Sequence, residues 1–126
     1  MNPILITLTA LLLIPTMATA ADPLSGRWNG YWSSDMNGHR GPLRATVSPS
    51  QSGYDVRFSG RFARVIPFVY RTHLDVVGAV GEATLLSAER RIPLFGTFRT
   101  DASVTPTSFD ATFRSRKDGG RFVLTR

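Results

Sequence analysis

Two histidines are the only imidazoles in the chain, and each sits near residues with which it could do chemistry. His39 lies in a Gly-rich stretch close to Ser33, Ser34 and Asp35. Those are the residue types of a hydrolytic triad, which needs a nucleophile, a base and an orienting acid within mutual hydrogen-bond reach. No nucleophile-elbow motif frames them, and an Asp or Asn in such a loop ordinarily bonds its own backbone. His73 has Asp75 two residues on, which places both on one face of a strand. Neither histidine has ligand spacing that recommends a metal site. Glu82, Glu89, Asp101 and Asp110 could supply acid–base pairs in principle, but nothing pairs them in sequence. The expectation is a non-catalytic protein with no cofactor and no metal. A hydrolase using the His39 loop is the lesser alternative.

The cations are more distinctive. Lys117 is the only lysine among 15 basic residues, and the formal net charge is +6. Arg44, Arg57, Arg61, Arg71, Arg99, Arg114 and Arg116 all fall on positions that alternation turns outward. If their strands are neighbours, they form a basic wall suited to carboxylate, sulfate or phosphate groups. Aromatic side chains on that face are sparse, with Tyr31 and Phe95 the candidates, which argues against a stacking platform for nucleic acid. An acidic polysaccharide or an anionic envelope component is the expected polyanion.

The elements that must position these residues follow a period of two. Trp28, Gly30 and Trp32 share one face of a first strand. Leu43, Ala45 and Val47 share one face of the second, after the turn signal Asn37-Gly38 and the pair Gly41-Pro42, read as the close of that loop. The cluster from Ser48 to Gly53 reads as a turn. Tyr54, Val56, Phe58, Gly60 and Phe62 then alternate with Asp55, Arg57, Ser59 and Arg61. Phe68, Tyr70, Thr72, Leu74 and Val76 make a fourth inward face, with Pro67 expected at a corner or a strand edge and Gly78 and Gly81 bracketing a turn. Ala83 to Arg90 reads as strand or short helix, and strand fits its neighbours. Leu94, Gly96 and Phe98, then Phe109, Ala111 and Phe113, then Phe122, Leu124 and Arg126 complete the inward set. The fold class is therefore all-β, an antiparallel meander of about eight strands. Such a meander removes its two edges by closing as a small barrel. Glycines beside aromatics, as in Phe58-Ser59-Gly60-Arg61-Phe62, mark sheet bends covered by rings. The inward aromatics are numerous enough to fill the interior.

Residues 1–20 differ from the rest. Ile4 to Ala20 carries no charge, Pro15 interrupts the apolar run, and Ala18-Thr19-Ala20 has the small-x-small pattern of a signal-peptidase site. The expected organisation is a signal helix over 1–20 and one domain over 21–126. The product would be exported, periplasmic or secreted in a bacterium, with no transmembrane segment after cleavage. A retained anchor is the alternative. The sequence has no cysteine. That excludes disulfides, thiol chemistry and a lipoprotein anchor.

Gly26-Arg27-Trp28 at the start of the first strand, with Arg126 on the inward face of the last, resembles the calycin pattern of lipocalins, fatty-acid-binding proteins and avidins. In that pattern an arginine from the last strand packs across the first-strand tryptophan, an attraction that the π-face of Trp explains. The resemblance implies a calycin-like barrel with a ligand at its mouth. Trp28, Trp32, Tyr54, Tyr70 and Arg126 are the ligand-binding candidates. No mid-chain Thr-Asp-Tyr element is present. Trp28 and Trp32 are the only tryptophans, so biotin is not implied. The run from Gly38 to Ala45, together with Ile66-Pro67-Phe68 and the stretch from Asp118 to Arg126, is similar to a group of short exported bacterial proteins of unknown function. The implied task is binding a small apolar molecule or an anionic polymer. A structural envelope protein with a filled core is the alternative.

Overall fold

Period-two alternation dictates a sheet with one apolar face, and that face stays dry if the sheet packs on a second sheet or curls around itself. A computed structural model, describing residues 22–63, 65–93 and 96–126, shows the latter. The signal segment expected over 1–20 and the expected positions of Leu94 and Phe95 lie outside the described residues.

Eight antiparallel strands follow in order: β1 (Gly26–Ser34), β2 (Arg40–Ser50), β3 (Gly53–Phe62), β4 (Ile66–Val80), β5 (Ala83–Ile92), β6 (Gly96–Val104), β7 (Ser108–Arg114) and β8 (Gly119–Thr125). Each pairs with the next. β8 then returns to β1 through Asn29↔Thr125 to Ser34↔Gly120, which closes the barrel. The stretch that read as strand or helix is β5. No helix occurs among the described residues.

Several local expectations need correction. Gly41 and Pro42 lie inside β2, paired with Trp32 and Tyr31, so they do not close the loop. Pro49 is also in β2, opposite Tyr54, and the turn narrows to Gln51 and Ser52. Pro67 is the second residue of β4, paired with Arg61 between β3 and β5 in the closed sheet, so it sits neither at a corner nor on an edge strand. Gly78 sits within β4, at the register shift between Val76 and Gly78, and the turn is Gly81-Glu82 alone. The extra residue of this bulge is Val77, which is exposed; Val76, predicted inward, pairs with the buried Leu86 but is itself 46% exposed. Arg116 lies beyond the end of β7, in the turn to β8, and Arg126 lies just beyond β8.

Inside, Trp28, Phe58, Phe109, Leu43, Leu74 and Leu86 are fully buried. Gly60 and Gly120 matter through close approach. A Cβ at Gly60 would meet the Phe68 ring at 2.7 Å, and one at Gly120 the Phe113 ring at 2.8 Å. The rings lie over the glycines, as bent sheets with covered glycines require.

Candidate functional site

The meander gives the barrel two ends built from different turns. One end holds the β2–β3, β4–β5 and β6–β7 turns and is plugged by residues 22–25. Leu24 inserts into the core. Its carbonyl accepts the Trp28 indole N–H at 3.1 Å, and its N–H donates to the Asp22 carboxylate at 2.9 Å. The Tyr54 hydroxyl donates to the same carboxylate at 2.9 Å. Burial, reinforced by that carboxylate, pushes the Tyr54 phenol up to about 12. Arg126 sets its guanidinium 4.3 Å from the Trp28 ring centroid and donates to the carbonyls of Pro23, Ser25 and Pro106. Trp28 is 0% exposed under this cover.

The other end, where the β1–β2, β3–β4, β5–β6 and β7–β8 turns lie, has no plug among the described residues. A cavity of about 270 Å³ opens there, lined chiefly by Trp32, Phe62, Phe68, Tyr70, Phe98 and Phe113. These rings brace one another: Phe62 and Phe68 lie 4.5 Å apart, Tyr70 and Phe98 5.3 Å, and Trp32 and Phe62 5.1 Å, each within aromatic contact range. The Trp32 indole N–H donates to the Arg61 carbonyl at 3.1 Å, which fixes its ring at the wall. Among the described lining residues, Ser115 and Asp118 are the polar ones, beside the Tyr70 hydroxyl. The Asp118 carboxylate accepts from Ser34 at 2.6 Å and from the Gly119 N–H at 2.8 Å. The aromatics therefore fill one half of the barrel and line an open cup in the other.

The five ligand candidates separate accordingly. Trp32 and Tyr70 line the cup, whereas Trp28, Tyr54 and Arg126 belong to the plugged end. Alternation could not find Phe98 and Phe113 as cup partners of Tyr70, because inward position alone does not say at which end a ring lies.

The arginines also separate into two groups. Arg44, Arg57, Arg61 and Arg71 occupy adjacent strands β2, β3 and β4, and Arg57 and Arg71 are direct cross-strand partners. Arg99 and Arg114 are direct partners on β6 and β7, with Arg116 in the following turn. β5 stands between the groups. Arg99 forms a two-pronged pair with Asp101, at 2.9 and 3.3 Å, and this guanidinium holds the Asp101 carboxyl below the usual carboxylate range.

The β4–β5 ladder is short. It pairs Asp75 through Val80 with Ser87 through Ala83, and no pair is formed between the open-end halves of those strands. Arg90 spans the interval, its guanidinium donating to the Arg71 carbonyl at 2.7 Å.

His39 is exposed, and the Ser34 hydroxyl beside it is committed to Asp118. His73 lies between two carboxylates, 2.8 Å from Asp55 and 3.1 Å from Asp75. Asp75 was legible on its own strand; Asp55 reaches His73 only through the β3–β4 register. The hydrogen bond to Asp55 raises the imidazole pKa, and the same bond, with help from Ser50, lowers that of Asp55. No group of three or more metal-ligating side chains occurs among the described residues.

Fold and site define a small closed β-barrel with one plugged end and one open aromatic cup. Comparison with known proteins returns no matching family model and no matching curated protein.

Proposed function

We propose that this chain is an exported, non-catalytic, calycin-like binding domain that holds a small, flat, apolar molecule in the aromatic cup. The observation that carries the reading is the cup itself, about 270 Å³ of ring-lined space open at one end. Apolar surface with few polar groups is the chemistry of small-molecule pockets, and this volume is just below their usual range of about 300–1,000 Å³, so the ligand is small.

The test is titration with a neutral ring-sized fluorophore, N-phenylnaphthylamine, read by its own emission and by Trp32 quenching. Phe62→Ala should weaken binding about tenfold, since a large aromatic wall is removed. Val77→Ser, on the outer surface near the plugged end, should leave binding unchanged. Equal binding by the wild-type chain and Phe62→Ala would sink the proposal.

A specific observation favours a second reading, an anionic polymer on the arginine faces. Like charges directly opposite across a sheet repel, and Arg57 faces Arg71 on β3 and β4. A bound anion relieves that repulsion. Salt-sensitive retention on a polyanion column that persists unchanged in the Arg57→Gln, Arg71→Gln double variant would remove this reading.

A further inference from the structure

The rim around the cup has a composition that a small-molecule pocket does not require. The β3–β4 hairpin crosses the open end with Phe62 45%, Val65 77% and Ile66 57% exposed. It is a tight turn, with the Val65 N–H donating to the Phe62 carbonyl at 3.1 Å and Ala63 held at φ 48°. Met36, in the β1–β2 turn at the same end, is 72% exposed. Large apolar side chains gathered at one exposed edge mark an interaction surface.

Charge is distributed along the barrel axis in a matching way. Arg40, Arg61, Arg90, Arg91, Arg114 and Arg116 all lie in the open-end turns or in the strand ends that enter them. The acids at that end are Asp35, Glu89 and Asp118; Asp118 is already engaged by Ser34 and the Gly119 N–H, and Glu89, directly before Arg90 on β5, is the cross-strand partner of Arg99. Asp22, Asp55, Asp75, Glu82 and Asp110 lie toward the plugged end. A second exposed apolar group, Val76, Val77 and Val80, sits at that far end beside Glu82, where the described arginines are Arg27 at the start of β1 and Arg126, the latter already engaged by Trp28 and backbone carbonyls.

From this coincidence we propose that the open rim docks on an anionic lipid bilayer, with Val65 and Ile66 entering the interface and Arg61, Arg91 and Arg116 on the headgroups. Apolar tips within a cationic ring suit an interface in which the headgroups are negative and the acyl boundary begins a few ångströms below them. The barrel lies against the membrane and does not span it. Its outer face carries the charged residues and its inner face the apolar ones, the reverse of a transmembrane barrel. Docking brings the mouth of the cup to the lipid surface, but the inference stands on the rim and is independent of what the cup holds.

Co-sedimentation of the full chain with phosphatidylcholine vesicles, with and without phosphatidylglycerol, tests it. Binding should require phosphatidylglycerol and fall with salt. The Arg61→Gln, Arg91→Gln double variant should bind about thirtyfold more weakly, each arginine contributing about 1 kcal/mol at an anionic surface. Val65→Ser should weaken binding about tenfold, as expected for an inserted aliphatic side chain. Val77→Ser should bind as the wild-type chain does. All variants keep the same N-terminal segment, so any affinity of that segment cancels. Fluorophore titration on the same variants separates the two readings: unchanged cup binding with lost vesicle binding supports docking. Equal sedimentation of wild type, the arginine variant and Val65→Ser overturns it. So does a wild-type dimer that Val65→Ser makes monomeric, because a second copy would then cover the rim.

Discussion

The two ends of the barrel use the same residue types for opposite purposes. Each has a tryptophan on β1, Trp28 at one end and Trp32 at the other, and each indole N–H donates to a backbone carbonyl. Trp28 is sealed beneath Leu24 and Arg126, with Phe109 edge-on at 5.8 Å. Trp32 faces an open cup. The difference arises from four residues, 22–25, whose hydrogen bonds tie them across one end. An aromatic ring in a barrel thus serves stability or recognition according to what covers it.

The sharpest way to break this contrast is at the sealed tryptophan. Trp28→Ala should lower unfolding free energy by about 3–5 kcal/mol, the range for emptying a large aromatic site, measured by denaturant titration. A loss no larger than that of Phe62→Ala would mean the plugged end carries no special share of stability. Arg126→Gln should cost about 2 kcal/mol, because it removes a cation–π contact and charge-assisted hydrogen bonds to carbonyls. Its effect should fade in Trp28→Ala, and additive losses would separate the two residues.

Tyr54→Phe should cost about 1 kcal/mol by removing the bond to Asp22. Its pH signature is specific. The folded phenol is raised to about 12, so its contribution is complete below the ordinary tyrosine value near 10 and is lost as pH rises through 12. Wild-type stability should fall over that interval, and Tyr54→Phe should remove that part of the fall. Phe62→Ala, at the open end, should cost under about 1 kcal/mol, since its ring is half exposed, while still weakening cup binding.

The smallest effect belongs to the outer face. His73 is raised and Asp55 lowered, so their joint contribution is greatest above about pH 4 and below about pH 6.5. It is lost below that window as Asp55 protonates and above it as His73 deprotonates. His73→Gln should flatten this shallow maximum, which solvent screening of an exposed pair keeps small. A pH profile identical in wild type and variant would remove the pair from the stability account.

Much of the fold could be read from local pattern. The alternation from Tyr54 to Phe62 and the turn Asn37-Gly38 mark strands that the structure contains, whereas Gly119 and Gly120, which read as part of a hairpin turn with Asp118, are the first two residues of β8. Closure was expected because it removes the edges of the meander, but the period of two fits an open two-sheet packing equally well, and only the β1–β8 ladder distinguishes them. Proline and glycine misled where the barrel tolerates them: Pro42 and Pro49 lie within β2, and Gly78 marks a bulge instead of a turn. The site was less legible. Alternation says that Trp28, Trp32, Tyr54 and Tyr70 point inward, but it carries no coordinate along the barrel axis. Asp22 with Tyr54, Ser34 with Asp118 and Asp55 with His73 meet only through register and closure. The arginines were visible as outward residues; their division by β5 needed the strand order.

The β1–β8 ladder has a consequence for how the chain reaches this state. Seven of the eight ladders join sequence neighbours and can form as successive hairpins. The eighth joins Asn29 to Thr125, so its loop-closure entropy cannot be offset until nearly the whole domain is available. Until then β1, though paired with β2, has its other edge open and Trp28 lacks the cover of Arg126, the kind of surface on which intermediates associate. Ring closure is thus a single nonlocal event that completes folding. The burial of Trp28 under Arg126 makes it observable, because that tryptophan's fluorescence changes when the first strand meets the last.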